Sequence, residues 1–147
     1  MLLHCHPHNA TALMGLKDPR MLPIEQTTAR FYDLVNYDDG FGGIADEAEE
    51  GARLAEAMGD RPILAMGNHG LTCAAATVAE AFDHLYHFER AAKILMIAYA
   101  SGRPLNVMGD NLAQKTAEGW RAYSDAAFAH FEQMKELLDA EDASYRD

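Results

Sequence analysis

This chain of 147 residues has few cysteines and few basic residues, and each shortage argues against a class of protein. Only two cysteines occur, Cys5 and Cys73. Small secreted proteins that are stabilised by disulfides usually contain more cysteines, so we expect a reducing, cytoplasmic setting. Basic residues are the minority, 12 against 23 acidic ones, and the formal net charge is −11. This balance argues against binding to nucleic acid or to an anionic membrane, because both require clustered Lys and Arg.

Long apolar runs and phosphate-binding glycine loops are also lacking. No stretch reaches the roughly 20 apolar residues of a transmembrane helix. The first residues have neither the basic region nor the long apolar region of a signal peptide. The glycines of 40–43 are not followed by the Lys and Ser or Thr of a nucleotide-binding loop. No arrangement of a nucleophile with a base suggests itself, so no catalytic residue is assigned.

What is present is the composition of one globular domain, with 49% hydrophobic and 24% charged residues. Residues 1–147 are therefore taken as a single domain. Local patterns predict extended segments at 2–6, 62–66 and 71–75, and helices at 9–16, 46–58, 77–100 and 110–138. Residues 38–43 are predicted to be a loop, 67–70 a tight turn, and 21–37 either extended or helical. This order is typical of an α/β layered domain with a small sheet.

The first residues contain the strongest chemical signal, His4 and His6. Side chains alternate along a strand, so both histidines project from one face and Cys5 from the other. Two imidazoles on one face can converge on one metal ion. His69, between glycines directly after the predicted strand 62–66, is the natural third ligand. Three neutral imidazoles with an open position are typical of a catalytic metal site.

Other polar residues have competing interpretations. His8 is a rival ligand, although a position at the cap or the lining of the first helix is favoured because Pro7 turns the chain. His84 and His87 are three residues apart on a helix and could bind a metal, but such pairs usually do not. Glu80 is interpreted as a helix cap and Glu89 as a surface residue. The segment 94–99 is apolar on all sides, which suggests a subunit interface.

Several segments together resemble the class II aldolase and adducin family. HCHPHNATALMGL at 4–16, MGNHGL at 66–71 and TVAEAFDHLYHFERAAK at 77–93 are similar to that family's motifs, in the same order. PIEQTTARFYDLVNY and LLDAEDASYRD resemble its adducin-like bacterial branch. The resemblance covers nearly the whole chain.

The resemblance implies a three-layer α/β/α fold with a mainly antiparallel sheet and a homotetramer. It implies that His4, His6 and His69 bind a divalent metal, usually Zn²⁺, with Fe²⁺ or Mn²⁺ as alternatives. In the sugar-phosphate aldolases and epimerases of this family, the metal stabilises an enediolate of a small hydroxy-carbonyl substrate. The implied role is therefore a lyase of carbohydrate metabolism.

The resemblance also implies that the family's phosphate-binding loop and catalytic acid lie upstream of the first strand. The chain is then expected to be the C-terminal portion of an N-terminally truncated domain. Two alternatives remain open. One is a non-catalytic interaction domain like the cytoskeletal adducins, and the other is a metal-dependent decarboxylase or oxygenase on the same scaffold.

Overall fold

A computed structural model of the protein describes residues 1–40, 42, 48–123 and 125–146. Ten labelled elements occur within these ranges, followed by a short 3₁₀ turn at Ala143–Arg146. In chain order they are β1 (Leu2–Cys5), α1 (His8–Met14), α2 (Gln26–Ala29), β2 (Val35–Asp38), α3 (Ala48–Met58), β3 (Ile63–Met66), β4 (Leu71–Ala74), α4 (Val78–Ala100), α5 (Asp110–Arg121) and α6 (Ala126–Glu141).

The four strands form one mixed sheet in the order β1-β4-β3-β2. β1 and β3 both run antiparallel to β4, whereas β2 runs parallel to β3. In this register His4 lies opposite Thr72 and Cys5 opposite Leu71. The predicted α/β fold is confirmed, and two of the three strand pairings are antiparallel.

β3 is the centre of the sheet because its sequence, Ile-Leu-Ala-Met, is apolar at every position. All four residues are buried, so helices cover both faces of the strand, as in other doubly covered sheets. Ile63 and Ala65 belong to the main core cluster together with α1 and α4. The core residues of those two helices are Ala10, Leu13, Met14, Phe88, Ala91, Ala92 and Leu95.

The helix α4 begins where the sequence predicts. Thr77 accepts a hydrogen bond from the Glu80 amide, and the Glu80 carboxylate accepts one from the Thr77 amide. This capping box satisfies amides that the first turn leaves without helical partners. The role predicted for Glu80 is confirmed.

The prediction of one long helix over 110–138 is wrong. The chain forms α5 and α6 instead, separated by residues 122–125. α5 packs against α2, where Trp120 donates its indole N–H to the Gln26 carbonyl, whereas α6 packs against α4. The chain thus departs from the continuous helical pattern where its two parts pack against different helices, because tertiary packing can override local propensity.

Other predicted boundaries hold to within two residues where the chain is described. The ambiguous segment 21–37 contains both alternatives, the short helix α2 and the strand β2. Predicted residues 46–47 of α3, and residues 41 and 43 of the predicted loop, lie outside the described residues. None of the helices in the described part of the chain is long and apolar enough to cross a membrane.

Replacing Leu95 by Ala should lower the free energy of unfolding by about 2–5 kcal/mol, because this side chain of α4 is fully buried in the core. Leu137→Ala on α6 is the control, since Leu137 is 55% exposed. Urea unfolding monitored by circular dichroism measures both. Equal losses in the two variants would show that α4 does not organise the core.

Candidate metal centre

Three histidine side chains converge at one end of the sheet. The ring centroids of His4 and His6 are 5.0 Å apart, those of His4 and His69 5.0 Å, and those of His6 and His69 4.8 Å. One nitrogen from each ring lies within 4.8 Å of the other two. The structure therefore brings together the three residues that the sequence singled out as metal ligands.

His4 is oriented by the pairing of β1 with β4. Its Nδ1 lies 2.9 Å from the Leu71 carbonyl oxygen, which can only accept a hydrogen bond, so Nδ1 carries the proton. The Thr72 hydroxyl lies 3.2 Å from the same nitrogen. Nε2 is then left with its lone pair facing the other two rings. A backbone carbonyl that fixes the imidazole in this way is the usual support of a metal-binding histidine.

His6 follows the last residue of β1 and reaches the cluster because Gly70 has no side chain. A Cβ on Gly70 would lie 2.4 Å from Cδ2 of His6 and 2.7 Å from the Cys5 carbonyl oxygen. Both distances are shorter than real Cβ contacts. The second glycine of the Gly-Asn-His-Gly turn is therefore needed for the close approach of His6.

His69 lies in the turn that joins β3 to β4. The Met66 amide donates to the Gly70 carbonyl, and the His69 amide donates to the Met66 carbonyl. Asn68 adopts a positive φ of 55°, a conformation that asparagine tolerates better than most residues. Its amide donates to the Met14 carbonyl at the end of α1. The turn is thus held against α1, and His69 faces the histidines of the first strand.

The local electrostatics favour the neutral form of His69. Burial lowers the pKa of His69, and the neighbouring His4 and His6 lower this pKa further, while Glu50 acts in the opposite direction. The neutral ring is the form that binds a metal. His4 and His6 are exposed and His69 is partly buried, so solvent and small molecules can reach the cluster.

The nitrogen positions suit a transition metal. Nε2 of His4 and Nε2 of His6 are 3.2 Å apart. Two nitrogens bound to zinc at 2.0–2.1 Å in tetrahedral geometry are about 3.3 Å apart. Three imidazoles leave a fourth position for water or a substrate oxygen. The residues present therefore fit the divalent ion implied by the sequence resemblance.

A carboxylate–arginine network lies beside the turn. Arg53 of α3 makes two hydrogen bonds of 2.8 Å to the Asp38 carboxylate and two of 2.7 Å to the Glu50 carboxylate. These bonds hold the pKa values of both carboxyl groups below their ordinary range. The Asp38 carbonyl in turn accepts a hydrogen bond from the Gly67 amide at 2.7 Å. The network therefore braces the side of the turn opposite α1.

Glu89 has a role that the sequence did not reveal. Its carboxylate accepts hydrogen bonds from the Asn9 amide, the Asn9 side chain and the Ala10 amide, at 3.0, 2.6 and 2.8 Å. It therefore binds the first turn of α1 and is not simply a surface residue. His8 is the first residue of α1 and is not part of the three-histidine group. Cys5 lies between His4 and His6 in the sequence and is a free thiol, as is Cys73.

A second cluster joins α4 and α6. Asp83, His87 and His130 place one nitrogen or oxygen each within 4.8 Å of one another. The spacing of Asp83 and His87 places them on one helix face, but it gives no sign of His130. That residue reaches the cluster only because the chain turns between α5 and α6. His84, the other histidine of the predicted pair, is not a member.

Comparisons with known proteins identify the family and the fold to which this chain is similar. The family model described as "Class II Aldolase and Adducin N-terminal domain" matches residues 1–96. The crystal structure of an aldolase II superfamily protein from Pseudomonas syringae is 29% identical, with a TM-score of 0.89 over 99% of this chain and 59% of that one.

An L-fuculose 1-phosphate aldolase from Glaciozyma antarctica shares the fold, with 20% identity and a TM-score of 0.77 over 95% of this chain and 53% of its own. Gamma-adducin from Mus musculus is 27% identical over 84% of this chain and 17% of its own length. The chain thus spans about three fifths or less of these proteins.

Replacing Gly70 by Ala should displace His6 and destabilise the fold by about 1–3 kcal/mol, because the new methyl group overlaps backbone as well as the ring. Gly119→Ala is the control, since a Cβ at Gly119 meets nothing within 4 Å, and Ala in a helix is neutral or stabilising by up to about 1 kcal/mol. Thermal unfolding of both variants measures the difference. Matching stabilities would contradict the close approach of His6 to Gly70.

Proposed function

Because this chain belongs to the class II aldolase and adducin family, whose members generally bind a divalent metal, we propose that His4, His6 and His69 hold one such ion. Zn²⁺ is the proposed ion, with Fe²⁺ or Mn²⁺ as alternatives. The proposed reaction is lyase-type cleavage or epimerisation of a small hydroxy-carbonyl compound derived from a sugar.

The convergence of three imidazoles that are far apart in the sequence supports this proposal most directly. An accidental pair of histidines on a strand would not require a third ring at 4.8–5.0 Å from both. Such a pair would also not require a glycine at position 70, or a backbone carbonyl that fixes the orientation of the His4 ring. The cluster also has only neutral donors, the set typical of a catalytic site with an open position.

A divalent ion in this position acts as a Lewis acid towards the carbonyl and hydroxyl oxygens of a substrate. The chain itself contributes orientation and access. The Leu71 carbonyl holds the proton on Nδ1 of His4, so the ligand nitrogen of His4 keeps its lone pair. His4 and His6 are exposed, so a small substrate can reach the ion position from solvent.

No carboxylate of this chain is assigned as the acid or base of the reaction. Glu80 and Glu89 bind helix N-termini, and Glu50 is paired with Arg53. We propose that residues 1–147 form one domain that corresponds to the C-terminal portion of the family domain. The activity of a complete family protein is extended to this chain only as part of the proposal.

Substitution of His69 by Ala should remove one equivalent of bound metal per chain, because two exposed imidazoles alone bind an ion far more weakly than three. Elemental analysis after purification in the presence of Zn²⁺ measures the metal content. His8→Ala is the matched control, since His8 is close in sequence but outside the cluster. Full metal content in the His69→Ala variant would contradict the proposed site, and iron in the wild-type protein would favour the alternative ion.

The similarity to gamma-adducin favours a second candidate, a non-catalytic interaction domain. The two candidates differ in their dependence on metal. A lyase should lose both metal and cleavage of a hydroxy-ketone substrate when treated with a chelator. An interaction domain should have the same metal content with and without the His69→Ala substitution and keep the same melting curve with and without the chelator.

The proposed assembly is a homo-oligomer, a tetramer by resemblance to the family. Ile97 lies in the apolar part of α4 and is 63% exposed, although neighbouring Leu95 is fully buried. The proposed subunit contact is placed at this exposed side chain because the whole segment 94–99 is apolar apart from the tyrosine hydroxyl.

Replacing Ile97 by Asp should therefore lower the oligomeric mass without lowering helix content, because the charge would be buried in the contact. Light scattering after size-exclusion chromatography measures the mass. Lys93→Asp, an exposed position one turn earlier on α4, is the control for introducing a carboxylate. An unchanged mass in the Ile97 variant would place any contact elsewhere.

A further inference from the structure

The geometry points to a second divalent-metal site, formed by Asp83, His87 and His130, and separate from the three-histidine cluster. We infer that these residues bind a transition-metal ion through Oδ1 of Asp83, Nε2 of His87 and Nδ1 of His130. The three-histidine cluster plays no part in this inference, so an experiment can contradict one proposed site without affecting the other.

The distances between the three donor atoms carry the inference. Nδ1 of His130 lies 2.9 Å from Oδ1 of Asp83, and Nε2 of His87 lies 3.4 Å from the same oxygen. These separations bracket the roughly 3.3 Å expected for two donors on one tetrahedral zinc ion. Two imidazoles and one carboxylate are also a donor set that binds zinc and iron in open, reactive sites.

Burial holds these donors in place. The side chain of Asp83 is 9% exposed, and those of His87 and His130 are 22% and 21% exposed. Asp83 and His87 lie one turn apart on α4, and His130 approaches from α6. The Asp83 carboxylate is in contact with the Arg30 guanidinium and with both imidazoles.

Arg30 is the main competitor for a cation and also the main support of the carboxylate. Its guanidinium pairs with Oδ2 of Asp83 and leaves Oδ1 facing the two imidazoles. The carboxylate is thus fixed in orientation, as second-layer partners fix metal ligands elsewhere. The positive charge of Arg30 also lowers the affinity for a divalent ion, so this site should bind more weakly than the three-histidine cluster.

A cavity of about 420 Å³ adjoins the cluster and includes all three donors in its lining. Its volume lies within the range of small-ligand pockets. The apolar part of its lining includes Leu34, Pro62, Trp120, Tyr123 and several alanines. Water or a small organic ligand in this cavity can complete the coordination shell. The described lining residues do not include His4, His6 or His69, so this is a different place from the first site.

An ordinary hydrogen-bonded cluster is the competing explanation. In that arrangement both imidazoles donate a proton to Oδ1 of Asp83. In the hydrogen-bonded cluster, two protons lie between the carboxylate oxygen and the two ring nitrogens. In the metal site, one cation lies between the same three atoms. A metal titration separates them directly.

The experiment uses the full chain with His4→Ala and His69→Ala together, which removes the first site and leaves the second intact. Equilibrium dialysis against Co²⁺, followed by elemental analysis and visible absorption, should find one bound ion with a ligand-field spectrum. Adding His130→Gln should remove both the ion and the spectrum. Adding His84→Gln should change neither, since His84 lines the same cavity but is not a donor.

Because His130 also joins α6 to α4, His87→Gln provides a second test. That variant keeps the Asp83 contacts to His130 and to Arg30, and its fold is checked by circular dichroism before the titration. It should likewise bind no Co²⁺. Failure of the double variant to bind Co²⁺, or an undiminished ion in the His87→Gln and His130→Gln proteins, would overturn the second site and identify the cluster as hydrogen-bonded only.

Discussion

The antiparallel pairing of β1 with β4 is the contact on which the candidate metal centre depends. It joins residues that are 67 positions apart, as in the hydrogen bond between His4 and the Leu71 carbonyl. The same pairing places Cys5 opposite Leu71 and so brings His6 against Gly70. Without this register His4 and His6 would remain a pair of imidazoles on an edge strand. A shift of one residue would turn His4 to the other face of the sheet.

Packing on the two sides of the β3–β4 turn reinforces this pairing. On one side, the Asn68 amide binds the Met14 carbonyl of α1, and α1 is itself bound by Glu89 of α4. On the other, the Gly67 amide binds the Asp38 carbonyl, next to the ion pairs of Arg53. The turn therefore has polar contacts with both neighbours, and the apolar core beneath it, centred on β3, supplies the rigid base.

The sequence predicts those parts of the structure that depend on nearby residues. Alternation along the first strand identifies His4 and His6, and the Gly-Asn-His-Gly turn identifies His69. The capping box of Thr77 and Glu80 locates the start of α4. Contacts between distant segments were not predictable in the same way. The break between α5 and α6 follows from their packing on different helices, and it alone brings His130 to Asp83. Glu89 binds α1 because α1 and α4 pack together, which no local pattern indicates.

The pairing of β1 with β4 also determines where insertions in the chain would leave the three-histidine cluster intact. The histidines are positioned by the two ends of a long stretch of chain, while the exposed residues 15–18 that follow α1 contribute no candidate ligand. Lengthening an exposed loop costs little closure entropy, so insertions at 15–18 would leave the geometry of the three histidines unchanged. The four-residue turn between β3 and β4 has no such freedom, because every residue in it makes a required contact or turn. Changes in length at 15–18 and at 67–70 should therefore differ in their effect on the three-histidine cluster, because only the second segment carries one of its residues.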